Sequence, residues 1–279
     1  MKKALIIIGS LIIIAFAGIG LFLTAGFVAV NLGWTNTKGI VDNNLTTQTG
    51  NNLGKQGVKY PAGTKFAWNQ DPEWQTLTEA ISKDALLIKQ ISTLTGISPR
   101  LLVTPLVVEQ LRLFHSEREV YKELFSPLKI LGTQTQFSWG VLGFKEKTAQ
   151  QVEKNLTDKN SSYYLGPRYE HLLDFTTSDI NSERFDRLTN YKDRYWAYLY
   201  GALYLKELMT GWQKSGYDIA SRPEIVATLF NIGFENSKPN PNPQIGGAEI
   251  DIGDQKISFG RLAYEFYYSS ELTDQFPIE

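Results

Sequence analysis

The chain has 279 residues, with 28 basic and 29 acidic side chains and a formal net charge of -1. That balance supplies none of the positive field a nucleic-acid binder uses, so no nucleic-acid partner is expected. It contains no cysteine, which excludes disulfides, thiolate metal sites, a cysteine nucleophile and a lipidated N-terminal cysteine.

Met1-Lys2-Lys3 precedes an almost uninterrupted apolar run from Ala4 to Val30. As a helix this run is roughly 40 Å long, more than a bilayer's hydrocarbon core requires. It also exceeds the about 7–15 apolar residues of a cleaved export signal, so residues 1–30 are expected to form a single transmembrane anchor, in the membrane through residues 4–30. The two lysines place the N-terminus in the cytoplasm, which locates the protein in the cytoplasmic membrane with its remainder on the extracytoplasmic side. Residues 31–70, rich in Asn, Thr, Gly, Gln and Lys, lack the apolar content to offset ordering and read as a flexible linker.

The folded domain is expected over residues 71–279. Leu77, Ile81, Leu87, Ile88, Ile91 and Leu94 recur at helical spacing up to Gly96. Ser98 is placed to cap a second helix, with Pro99 in its first turn, that runs through Phe114 and is apolar on nearly every side. Such a helix belongs at the centre of a domain. Further helices are expected around 147–155, 195–214, 223–231 and 261–272, and a β-hairpin over 248–259 turning at Gly253-Asp254. The fold class is therefore mainly α with a small β-hairpin.

Glu109 is the one carboxylate embedded in the apolar helix. Two readings stand side by side. A desolvated glutamate prefers its neutral form and can donate a proton near neutral pH, as cleavage of a glycosidic bond requires. Alternatively it forms an internal ion pair with Arg112, three residues on and on the same helical face. His115 and His171 have no carboxylates at metal-ligand spacing, and there is no phosphate-binding glycine loop. No metal and no cofactor are expected.

Residues 98–110, Ser-Pro-Arg-Leu-Leu-Val-Thr-Pro-Leu-Val-Val-Glu-Gln, resemble the catalytic-glutamate helix of the soluble lytic transglycosylase family, which is related in fold to goose-type lysozyme. Ser138-Trp139-Gly140-Val141-Leu142-Gly143, with Thr148-Ala149 beyond it, resembles that family's Ser-x-Gly-x-Met-Gln segment and Thr-Ala pair. Tyr200-Gly201-Ala202 with Tyr204-Leu205 is similar to its Gly-Ala-x-Tyr-Leu helix, and Ala227-x-x-Phe230-Asn231-Ile232-Gly233 to its Ala-x-Tyr-Asn-Ala-Gly motif. The resemblance covers about residues 75–235. It departs from the pattern at Gln110, where a serine is usual, at Leu142-Gly143 in place of Met-Gln, and at Phe230 in place of tyrosine.

The resemblance implies a lysozyme-like transglycosylase domain that takes peptidoglycan glycan strands, with Glu109 as its single catalytic residue. Such enzymes cut between N-acetylmuramic acid and N-acetylglucosamine and leave a 1,6-anhydro end. Substrate contacts would come from Ser138, Trp139, Gly140, Phe230 and Asn231, and from Tyr264 on an aromatic last helix similar in position to the family's tyrosine-bearing one. Other readings of these residues remain open: Ser138 as a helix cap, Asn231 as a C-cap, Trp139 and Phe230 as core. Function is open in the same way, between a lyase, a hydrolytic muramidase and a non-catalytic peptidoglycan-binding scaffold.

Overall fold

In the computed structural model the described residues are 17, 18, 20, 21, 24, 39–42, 59–115 and 138–279. They form a mainly helical domain with eight α-helices and a small three-stranded sheet. Strand β1 is Gly39–Val41. Helices α1 Pro72–Lys83, α2 Ala85–Thr95 and α3 Pro99–Phe114 follow. A two-stranded hairpin, β2 Ser138–Trp139 and β3 Phe144–Lys145, leads into α4 Glu146–Thr157. Then come α5 Ile180–Thr189, α6 Tyr195–Lys214 and α7 Pro223–Ile232. Strands β4 Gly246–Ile252 and β5 Gln255–Ser258 precede the last helix, α8 Phe259–Tyr268.

Helix α3 is the central one. The Ser98 hydroxyl accepts the Leu101 N–H at 3.2 Å and Pro99 occupies the first turn, as the sequence led us to expect. The helix continues through Pro105, whose ring nitrogen forgoes one intrahelical bond. Leu102, Val103, Val107, Val108 and Leu111 are all sealed in the core.

The helix expected from Leu77 to Leu94 is two helices that meet at Asp84. The cause is tertiary: the Asp84 carboxylate accepts bonds from Arg194 at 2.6 Å and from the Tyr198 hydroxyl at 2.5 Å, both from the start of α6. The last helix begins earlier than expected because Ser258 caps it, accepting the Arg261 N–H at 3.2 Å, and it ends earlier, at Tyr268.

The linker reading over 31–70 requires correction. Residues 39–41 pair antiparallel with Ala248–Gly246 and add a strand to the β4–β5 hairpin, giving the order β1-β4-β5. Tyr60 N–H donates to the Tyr268 carbonyl at 2.8 Å, and Trp68 is fully buried with its indole N–H on Glu265 at 3.2 Å. The packing of the domain thus begins at Tyr60, because two large aromatics, Phe66 and Trp68, stack and reach the core. Among the described residues no helix is long and apolar enough to cross a membrane. Of the expected anchor only residues 17, 18, 20, 21 and 24 are described, in helical conformation, and the rest lies outside the described residues.

One residue ties the central helix to the stretch 266–276. Arg100, fully buried in α3, donates to five carbonyls: Phe266 at 2.6 Å, Tyr267 at 2.9 Å, Ser269 at 3.0 Å, Glu271 at 2.6 Å and Phe276 at 3.1 Å. Two of these belong to the last turn of α8, where carbonyls run short of intrahelical donors; the Phe266 carbonyl also accepts the Ser269 N–H at 3.1 Å and its hydroxyl at 2.8 Å. A planar guanidinium with five N–H groups meets that demand, and it also lies 4.6 Å above the Phe266 ring.

A buried carboxyl between α4 and α6 gives the fold a pH dependence. Glu207 is fully buried; one oxygen accepts from Asn155 at 2.9 Å and the other has no hydrogen-bond partner. Burial pushes its carboxyl well above the ordinary 4.5. The folded chain therefore binds more protons than the unfolded chain once pH passes 4.5, and this stability contribution, complete at lower pH, is lost as pH rises. Glu224 and Glu265, raised chiefly by burial as well, act in the same direction. Glu207→Gln removes one charge that must otherwise be buried, so its Tm should decline less than that of the parent between about pH 5 and pH 8. Parallel slopes in thermal melts across that range would contradict this account.

Candidate active site

Glu109 lies in the fourth turn of α3, 3% exposed. Arg112 donates to both of its oxygens: Nε reaches Oε2 at 3.0 Å, and Nη2 makes a shorter contact with Oε1. Arg112 is itself 6% exposed. The isolated neutral carboxyl expected from an apolar helix is thus replaced by a two-bond ion pair, the other arrangement the sequence allowed. The reason is geometric and energetic: three-residue spacing puts both groups on one face, and a buried charge without a partner is costly.

The segment after β2 closes over this pair. Gly143, at φ +59°, sits so near that a Cβ there would lie 2.0 Å from Glu109 Oε1. The glycine that departs from the family's glutamine is therefore set by position: no other side chain fits between the hairpin turn and the carboxylate, and the φ is one that L residues rarely adopt. Gly143→Ala should push the turn off Glu109 at a cost of about 1–3 kcal/mol from strain and overpacking. Urea denaturation measures it, and a variant as stable as the parent would remove this explanation.

Gln110, another departure, donates from Nε2 to the Val141 carbonyl at 2.5 Å and ties α3 to the same turn. Leu142 drops onto α6 where Gly201 leaves room; a Cβ at Gly201 would lie 2.3 Å from Leu142 Cδ1. Phe144 packs edge-on against Phe230 at 5.9 Å between centroids and at a tilt against Tyr204 at the same separation, while Tyr204 and Phe230 lie 5.0 Å apart. Phe230 is buried, and its carbonyl accepts the Tyr204 hydroxyl at 3.2 Å. It is a core residue, and a phenol in its place would need a further partner.

The other candidates fall into separate roles. Gly140 packs beneath α5, where a Cβ would lie 2.0 Å from the Leu188 carbonyl oxygen. Ser138 and Trp139 contribute backbone to the β2–β3 pairing, which leaves no helix start for Ser138 to cap; their side chains lie outside what is described. Asn231 accepts the Ala248 N–H at 2.8 Å and thereby joins α7 to the sheet. Tyr264 is buried among aromatics, 6.2 Å from Tyr60 and 4.8 Å from Tyr268, and packs the last helix against the start of the domain. Glu109, the 140–144 turn and Phe230 come together; Asn231 and Tyr264 are committed to structure.

Beside this cluster a cleft of about 370 Å³ opens between the end of α3, the turn and the α5–α6 junction. Gln110, Phe114, Gly140, Leu188, Tyr191 and Arg194 line it. Tyr191 is 74% and Phe114 46% exposed. Glu109 is one residue from this wall and is not part of it. Sequence reasoning missed Tyr191, which carries no signal beyond an aromatic in a polar stretch. Among the described residues no group of three or more His, Cys, Asp or Glu could hold a metal ion.

No family model, no curated protein and no solved structure matches this chain.

Proposed function

We propose that the chain is a peptidoglycan lytic transglycosylase held at the cytoplasmic membrane by residues 4–30, with Glu109 as its single acid/base. One observation carries this reading. The four sequence segments that resemble the family, 98–110, 138–149, 200–205 and 227–233, lie far apart in the chain and meet in space around residues 142–144, directly over the Glu109 carboxylate. Local helix rules demand no such convergence.

The chemistry uses one carboxyl twice. Glu109, parted from Arg112 and carrying a proton taken from solvent, gives it to the glycosidic oxygen as the bond to the anomeric carbon breaks; as a carboxylate it then takes back a proton from the muramic C6 hydroxyl, whose oxygen attacks that carbon. No second carboxylate takes part, unlike the paired mechanism of most glycosidases. Arg112 must leave the carboxylate for the first step, and the glycan would lie along the adjacent cleft, where Tyr191 and Phe114 offer aromatic faces to a sugar ring.

A second reading, a peptidoglycan-binding scaffold without turnover, is favoured by the Arg112 contact to both Glu109 oxygens. Digestion of purified cell walls by the full chain in detergent, read by product masses, separates the readings. Anhydro ends support the lyase, reducing ends indicate a hydrolytic muramidase, and bound but intact glycan indicates the scaffold.

A further inference from the structure

Strand β1 comes from the segment that joins the apolar N-terminus to the domain, and the domain is shaped to hold it. Gly39, Ile40 and Val41 pair with Ala248, Gly247 and Gly246. The ladder is extended by Asp42, whose N–H donates to the Ile245 carbonyl at 2.7 Å and whose carboxylate lies 3.6 Å from Arg261.

Gly246 has no other evident reason to be glycine. Its φ is not positive, and a Cβ there would meet Ile40 O at 2.3 Å, with Val41 Cα and Ile40 C next nearest. The three closest obstacles all belong to β1, so any side chain at 246 would evict the upstream strand.

We propose that residues 39–42 are a clip by which the chain shortens its own tether, confining the domain to glycan next to the bilayer. The inference rests on the reading of residues 4–30 as an anchor. With the clip seated, residues 31–38 alone connect membrane to domain and reach at most roughly 30 Å; with it released, residues 31–58 reach roughly 100 Å. The substrate is accordingly the glycan strand nearest the membrane, and outer layers come within range only on release. A three-residue strand is a short attachment, suited to opening while the domain stays folded.

The absence of native cysteine makes a direct test available. Gly39 and Ala248 are paired Cα positions, at a separation a disulfide can span. The full chain carrying Gly39→Cys and Ala248→Cys, oxidised in isolated membranes, should cross-link in most molecules. Adding Gly246→Val should abolish the cross-link without altering the melting of the domain.

A second measurement reads distance. A donor dye on Asp254→Cys, exposed at the β4–β5 turn, should transfer strongly to an acceptor-labelled lipid in proteoliposomes, and Gly246→Val should lose most of that transfer. A membrane-bound chain that fails to cross-link, or whose transfer is unchanged by Gly246→Val, overturns the clip alone. A chain that washes from membranes without detergent overturns the anchor, and the confinement with it.

Discussion

Replacing Glu109 by Gln is expected to lower the release of anhydro-ended fragments from purified walls by about 100- to 10,000-fold, the range that acid–base catalysis contributes. The substitution also disturbs the fold, because Arg112 keeps its charge in a buried place and loses the matching carboxylate. Breaking one side of such a pair typically costs about 3–5 kcal/mol. Glu109→Gln with Arg112→Gln should recover part of that stability, since no unmatched charge remains, and should stay inactive. The pair of variants thus separates loss of the proton donor from loss of structure: urea denaturation reports the second, product masses the first. Turnover by the single variant at the parent rate would remove Glu109 from the chemistry. A parent chain that binds walls and releases nothing would favour the scaffold.

Arg100 should prove the most sensitive position for stability. Its guanidinium satisfies five carbonyls between residues 266 and 276 while buried deeply enough that its pKa falls to about 10, chiefly through desolvation. It remains a cation at neutral pH. Arg100→Ala leaves several of those oxygens buried without a donor, at about 1–3 kcal/mol each where water cannot enter, so a loss of at least about 4 kcal/mol is expected, a large part of what a domain of this size has to lose. Arg100→Lys should recover little, because an ammonium brings three donors to one point and the acceptors are spread over residues 266–276. Denaturant midpoints of the two variants test this, and a lysine variant close to the parent would show that charge, and not the planar fork, is what the site requires.

Much of the helical plan could be read from periodicity and caps. The central helix, its Ser98 cap, helix 195–214 and the hairpin around Gly253-Asp254 all lie where apolar spacing and turn residues put them. What escaped was decided by distant partners. Asp84 breaks a helix because Arg194 and Tyr198 claim its carboxylate. Helix α5 has few apolar residues and is held instead by Arg184 on Glu153 and by Arg187 over Trp196, contacts that no local pattern reveals. Residues 39–41, Gly-Ile-Val, are too short an apolar triplet to stand out within a polar stretch, and only the sheet edge they meet makes them a strand.

The candidate site shows the same division. Glu109 stands out as a lone carboxylate in an apolar helix, and Arg112 was visible as its possible mate. Choosing between a neutral acid and an ion pair needed coordinates, because spacing permits both. Gly143 reads in sequence as a missing glutamine. In three dimensions it is the gap that lets the turn lie against the carboxylate.

The way the ends of the domain interlock has a consequence for biogenesis. Tyr60, Trp68 and Trp74, near the beginning, are held by Tyr268, Glu265 and Glu271 near the end, and Arg100 waits for carbonyls as late as Phe276. Nascent chain lacking its last twenty residues has nothing for these early groups to close upon. The domain should therefore stay open until residues 265–276 have been made, a slow, non-local closure in which the earliest aromatic side chains wait on the latest carbonyls and carboxylates.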